Sequence, residues 1–187
     1  MVRNIIYFTE PGRQNTIATL EAARNRAQEL GIKYVLIASS HGYTAIEASR
    51  VFKGSEIQLI AVTISEGYKE EGWNMTASER AEVEKTGVEV LTSQHALSGG
   101  VAESFGKDDS RLSIVAKTFY CFSQGMKVAV EIAIMAAEAG IIPAGNEIIS
   151  VAGTGEGADT AIVLVPAYAR NFKELRILEI LSKPRLG

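Results

Sequence analysis

The chain is poor in the residues that staple, chelate or span. It has one cysteine, one tryptophan, two histidines and four prolines in 187 residues. A lone Cys121 excludes a disulfide framework within the chain and fits a reducing compartment. It lies in the apolar stretch 119–122 and is expected to be an inert, buried thiol. So few histidines and cysteines, without ligand spacing, predict no metal site. Positive charge is not in excess: 19 Lys and Arg stand against 22 Asp and Glu, a net charge of −3. No basic stripe interleaved with aromatics occurs, so the electrostatic footprint of nucleic-acid binding is missing. No apolar run reaches membrane-spanning length, since Glu131 interrupts the longest, residues 128–137. The apolar start at residues 5–8 is too short for a signal peptide. The expectation is a cytoplasmic protein with no membrane or nucleic-acid partner.

What is present suits a packed interior. Hydrophobic residues make up 47% of the chain and glycine occurs 17 times. That length supports a single domain over residues 1–187 with one good core. Apolar runs alternate with amphipathic stretches. Strands are expected at 5–8, 34–38, 57–62, 88–91, 148–152 and 160–165, with a last edge strand in 175–182. The run at 34–38 is apolar without alternation, as in a parallel strand covered on both faces. A helix capped by Asn15 or Thr16 is expected to bury Ile17, Leu20, Ala23, Ala27 and Leu30, and to end at Gly31. Others follow from Thr44 to about Phe52 and over 77–85. In the next, Leu112, Val115, Ala116 and Phe119 share a face. Residues 124–139 are apolar nearly all round and predict a central buried helix. Residues 92–109, with Ser98-Gly99-Gly100 and Lys107-Asp108-Asp109, read as a loop with a short helical turn. This order predicts an α/β fold: three layers, α/β/α, around a mostly parallel, mixed sheet.

Ligands of open α/β sheets collect beyond the carboxyl ends of the strands, and three polar or glycine-rich loops qualify. Ser39-Ser40-His41-Gly42-Tyr43-Thr44 joins a buried strand to a helix start. It offers hydroxyls and backbone amides at the positive end of a helix dipole, which suits a phosphate, or it is an ordinary helix cap. In the loop Thr9-Glu10-Pro11-Gly12-Arg13-Gln14-Asn15-Thr16, Arg13 either meets a phosphate or carboxylate with its planar fork or is solvated beside a turn and N-cap. The run Gly153-Thr154-Gly155-Glu156-Gly157-Ala158-Asp159-Thr160 either lets backbone approach a ligand or is a flexible connection. Thr63 follows the third strand and could reach the same place. Glu131, alone in an apolar helix, must pair or protonate. Tyr68 and Trp73 lie in one loop and either stack on a planar ligand or fold back as a plug. No nucleophile–base pair is visible, so catalytic residues are not assigned.

The stretch 34–92, with Ser39-Ser40-His41-Gly42-Tyr43-Thr44-Ala45, Leu59-Ile60-Ala61-Val62-Thr63 and Gly87-Val88-Glu89-Val90, resembles the C-terminal domain of pyruvate kinase. The Gly153 loop and Thr160 fit the same pattern. Pro11-Gly12-Arg13, Asn15-Thr16, residues 130–137 and Gly157-Ala158-Asp159-Thr160-Ala161 resemble stand-alone archaeal proteins of that fold. The first resemblance implies a phosphate-binding regulatory fold without catalytic residues. With no counterpart of the catalytic barrel, kinase activity on pyruvate is not implied. His41 departs from pyruvate kinase, which has a small hydroxyl residue there. The second resemblance implies FMN, its phosphate at Ser39, Ser40, Gly42 and Thr44. The functional expectation is therefore a protein that binds a phosphorylated small molecule, FMN first, with or without a reaction. The alternatives are a sensor module for a sugar phosphate or nucleotide, and a phosphate-ester enzyme using His41 or Glu131. A homo-oligomer is also expected.

Overall fold

The computed structural model describes residues 2–98, 101 and 111–186. Gly99, Gly100 and Lys107-Asp108-Asp109, within the stretch read as a loop with a helical turn, lie outside the described residues.

Seven strands form one sheet: β1 (Ile6–Phe8), β2 (Tyr34–Ala38), β3 (Gln58–Thr63), β4 (Glu89–Thr92), β5 (Ile148–Ala152), β6 (Thr160–Val165) and β7 (Arg176–Pro184). Their order across the sheet is β1-β7-β6-β5-β2-β3-β4. β6 is antiparallel to both its neighbours, and every other pairing is parallel. The carboxyl ends of six strands, and the start of β6, therefore share one edge. The last strand differs from expectation: β7 is not at the edge but lies between β6 and β1, with β1 outermost.

Helices cover both faces. α1 (Thr16–Leu30), α2 (Tyr43–Val51) and α3 (Ala77–Glu84) occupy one side, and α4 (Arg111–Tyr120) and α5 (Gln124–Glu138) the other. β2 shows why its sequence is apolar throughout. Val35 and Ile37 pack with Leu20, Ala23 and Ala48, while Leu36 faces Val130, Ile134 and Ile162. α5 is buried almost all round, as its sequence predicts, and its N-cap Ser123 Oγ accepts from the Met126 amide at 2.9 Å.

Other expectations are corrected. Ile17 and Leu30 are exposed, and the buried stripe of α1 runs instead through Thr16, Thr19, Leu20, Ala23, Arg26 and Ala27. Neither Asn15 nor Thr16 caps α1 through its side chain: Asn15 Nδ2 donates to Glu10 O and Thr16 Oγ1 to Arg13 O. A 3-10 turn, Arg13–Asn15, precedes the helix and shifts these side chains away from its amides. On α4, Ala116, Val115 and Phe119 pack on the core but Leu112 is exposed. Cys121 is exposed rather than buried, just past the end of α4.

The buried Arg26 explains part of this packing. It donates to both carboxylate oxygens of Glu179 on β7, at 2.8 and 2.5 Å, and to Glu29 at 2.7 Å. Arg26 holds Glu179 below the usual carboxylate range. The unfolded chain, with the ordinary value, thus takes up protons first on acidification. This contribution to stability is complete above roughly pH 5 and is lost as pH falls through the depressed value. Arg26→Met is expected to flatten the acid limb of a Tm-against-pH curve and to lower Tm at pH 7 by several degrees.

Candidate functional site

At the carboxyl edge, a cavity of about 680 Å³ opens between the two helical layers. β2 supplies Ala38, and the turn after it supplies Ser39, Ser40 and His41; Tyr43 and Thr44 come from the first turn of α2. Thr63 and Ile64 enter from the end of β3, and Gly153, Gly155, Glu156 and Gly157 from the β5–β6 loop. Tyr68, Trp73 and His95 form one wall, and α5 forms another with Gln124, Lys127, Val128, Glu131, Ile132 and Met135.

The α2 corner is built from the backbone up. Gly42 is the N-cap, with a left-handed φ of 88° and no capping side chain. A Cβ at Gly42 would stand 2.8 Å from Val83 Cγ2 of α3, so the close approach that requires glycine here is that of a neighbouring helix. Ser39 Oγ accepts from the Ala45 amide at 3.3 Å. Among the described residues, no acceptor meets the amides of Tyr43 and Thr44. They are orphan donors of a helix start, next to the hydroxyls of Ser39, Ser40 and Thr44. His41 also lines the cavity, and its Nδ1 lies 3.3 Å from Glu79 Oε1. The Thr76 amide and hydroxyl, with His41, hold Glu79 below the usual carboxylate range.

Arg13 stands at the rim. Its guanidinium lies 3.7 Å from the centre of the Tyr43 ring and its Nη1 donates to Glu156 Oε1 at 2.7 Å. Both partners line the cavity, and Arg13 is half-exposed.

Several sequence candidates serve as struts. Asp159 is fully buried, and its Oδ2 accepts from the amides of Gly12 at 3.0 Å and Thr154 at 3.1 Å. Its Oδ1 accepts from Thr160 Oγ1 at 2.8 Å. The Ala158 amide donates to Thr16 Oγ1 at 3.0 Å. Gly12, Ala158, Asp159 and Thr160 thus stand behind the cavity wall, tying the β1 loop to the β5–β6 loop, while Asn15 holds only its own loop through Glu10 O and Thr9 is exposed beside Arg185, away from this cavity. The glycines sort the same way. A Cβ at Gly157, where φ is 78°, would lie 2.5 Å from Thr16 Oγ1 and 2.6 Å from Arg13 Cα. One at Gly153 would meet Gly157 O at 2.5 Å, whereas at Gly155 it would meet nothing within 4 Å. The first two are accounted for by packing within the protein, and only Gly155 faces open space.

The loop aromatics do fold back, and they make a surface in doing so. Tyr68 stacks on Trp73, centroids 5.6 Å apart and planes 20° apart, and on His95 at 5.4 Å and 22°. Trp73 remains 52% exposed. Thr63 is buried, its Oγ1 2.7 Å from Thr92 Oγ1, which accepts from Arg80 Nη2 at 2.6 Å. Glu131 has a partner unread from the sequence, Lys127, whose Nζ lies 2.5 Å from its Oε2. The signal was available: the two are four residues apart, on one face of a helix. No group of His, Cys, Asp and Glu that could hold a metal ion occurs among the described residues.

A three-layer α/β domain with a cleft across the carboxyl edge of its sheet is a ligand-binding architecture. A family model described as pyruvate kinase, alpha/beta domain, matches residues 17–164, and the chain belongs to that family. The match leaves out β1, the Arg13 loop and β7. A pyruvate kinase of Cryptosporidium parvum is 16% identical, over 81% of this chain and 23% of that one, with a TM-score of 0.41. The same organism's pyruvate kinase in complex with ADP is 16% identical, over 89% of this chain and 23% of that one, with a TM-score of 0.38. The chain therefore spans less than a quarter of the length of these enzymes. No helix among the described residues is long and apolar enough to cross a membrane.

Proposed function

We propose that the protein binds a phosphorylated small molecule carrying a planar ring, with FMN as the specific candidate. One observation carries this: the orphan amides that start α2 and the Trp73–Tyr68–His95 stack open into the same cavity. Helix-start amides and hydroxyls favour an anion, and stacked aromatic faces favour a flat ring. The residues present fit FMN on both counts. Bound there, FMN would supply hydride or single-electron transfer, and Ser39, Ser40, Gly42, Tyr43 and Thr44 would hold its phosphate.

Arg13 is the adjustable element. Glu156 now satisfies it, and a phosphate entering the corner would compete for the same guanidinium. Arg13→Ala is expected to weaken FMN binding about tenfold or more, the order of one charge-assisted hydrogen bond. Glu156→Gln is expected to tighten it several-fold, because a carboxylate is removed from the mouth of an anion site.

The test is quenching of FMN fluorescence on titration with protein, alongside thermal shifts with FMN and ribose 5-phosphate. Quenching with a raised Tm supports the reading. A Tm rise with ribose 5-phosphate but not FMN favours a sugar-phosphate sensor. No response to either overturns both.

A further inference from the structure

The cavity has a second polar corner that phosphate does not need. Lys127 and Glu131 sit one turn apart on α5, each side chain only 5% exposed, their charged atoms 2.5 Å apart. Glu131 Oε1 accepts from the Leu97 amide at 2.7 Å and from Ser98 Oγ at 3.1 Å. Lys127 Nζ also donates to Ser98 Oγ at 2.7 Å. An ammonium has three protons; Glu131 and Ser98 take two, and Nζ also lies 5.9 Å from the centre of the Tyr120 ring, which lines the cavity. A carboxylate has about four lone-pair positions, and three are taken, two on Oε1 and one on Oε2. Among the described residues, one donor on Nζ and one acceptor position on Oε2 have no hydrogen-bond partner, on adjacent atoms of two residues that line the cavity. Taking such a pair out of water carries a large desolvation cost that mutual attraction must offset, and apolar side chains would fill the same wall of α5.

The two corners lie on opposite sides of the sheet. α2 belongs to the layer of α1 and α3, and α5 to the other. Both corners line one cavity, so a ligand anchored at α2 and crossing the edge has Lys127 and Glu131 on its far side. We infer that this pair reads the outer edge of the ligand's ring, selecting heterocycles that carry a hydrogen-bond acceptor beside an N–H donor. Lys127 donates to the ring's carbonyl or ring nitrogen, and Glu131 accepts from the adjoining N–H. The inference rests on the phosphate-and-ring reading above, and gives its ring end a chemical class.

The test uses the unaltered protein with two flavins that differ at one atom. FMN carries an N–H between two carbonyls, and 3-methyl-FMN has that proton replaced by methyl while keeping the phosphate and the flat ring. The expected result is at least tenfold weaker binding of 3-methyl-FMN, and a loss of the same order for FMN with Lys127→Met. Equal affinity for the two flavins overturns the inference and leaves the proposed function standing. Failure of both to bind overturns the proposed function, and this inference with it. Should Lys127→Met lose its cooperative unfolding transition, the comparison on the unaltered protein decides alone.

Discussion

Glu131→Ala is expected to cost about 3–5 kcal/mol of stability, the range for breaking a buried ion pair from one side. The substitution leaves the Lys127 ammonium buried opposite no charge. It also removes the acceptor of the Leu97 amide and the Ser98 hydroxyl. At roughly 2–4 °C per kcal/mol for a chain of this size, Tm should fall by ~10 °C. The double variant Lys127→Met, Glu131→Leu should recover most of that loss, because apolar replacement of a whole buried pair is often neutral or stabilising. Thermal and urea unfolding of the three proteins decide the matter. A single variant within 1 kcal/mol of the parent would show that the pair is solvated in practice, and that α5 has no dry polar corner. If the double variant is stable yet binds FMN poorly, the pair is kept for recognition rather than for the fold.

Asp159 carries the second large effect. Asp159→Ala orphans the Gly12 and Thr154 amides, at about 1–3 kcal/mol each. Thr160 keeps a partner in Ser123, whose Oγ lies 3.1 Å from its own. Asp159→Asn should be much milder. Its amide oxygen can accept the two backbone amides, while its NH2 faces Thr160 Oγ1, a hydroxyl able to accept. Because Asp159 joins the β1 loop to the β5–β6 loop, the alanine variant should also loosen Arg13 and Glu156 and weaken FMN binding. Unfolding curves and FMN titrations of the two variants provide the check. Equal losses for Asn and Ala would mean that charge, not hydrogen-bond geometry, holds the loops together.

Much of the layered fold was legible because its signals are local. The apolar run of β2, the glycine after α1 and the all-round apolarity of α5 each need only neighbouring residues to be read. What failed depended on distant partners. The place of β7 is set by pairing with β1, from the other end of the chain. Arg26 is buried because Glu179 receives it from β7, and nothing near Arg26 in sequence announces that. Ile17 is exposed because α1 turns the face of Thr16, Thr19, Leu20, Ala23 and Ala27 to the sheet, and Ile17 lies off it.

The site divides along the same line. That Ser39, Ser40, Thr44 and Gly155 line one cavity was legible from their place after strands. The meaning of Gly42 and Gly157 was not, because the atoms that forbid a Cβ there belong to Val83, Thr16 and Arg13. Lys127 was a clear omission, since its spacing from Glu131 marked it, and the other α5 wall residues, Gln124, Val128, Ile132 and Met135, were read only as core. Tyr68 and Trp73 come together with His95 from a separate loop, a three-ring surface that no window of sequence contains.

Amide NMR of the native protein during an FMN titration tests the central claim most directly. The account predicts that the largest shifts fall on the amides of Gly42, Tyr43 and Thr44, together with Tyr68, Trp73 and the N-terminal half of α5. Shifts confined to other surfaces, or none at millimolar FMN, would contradict it.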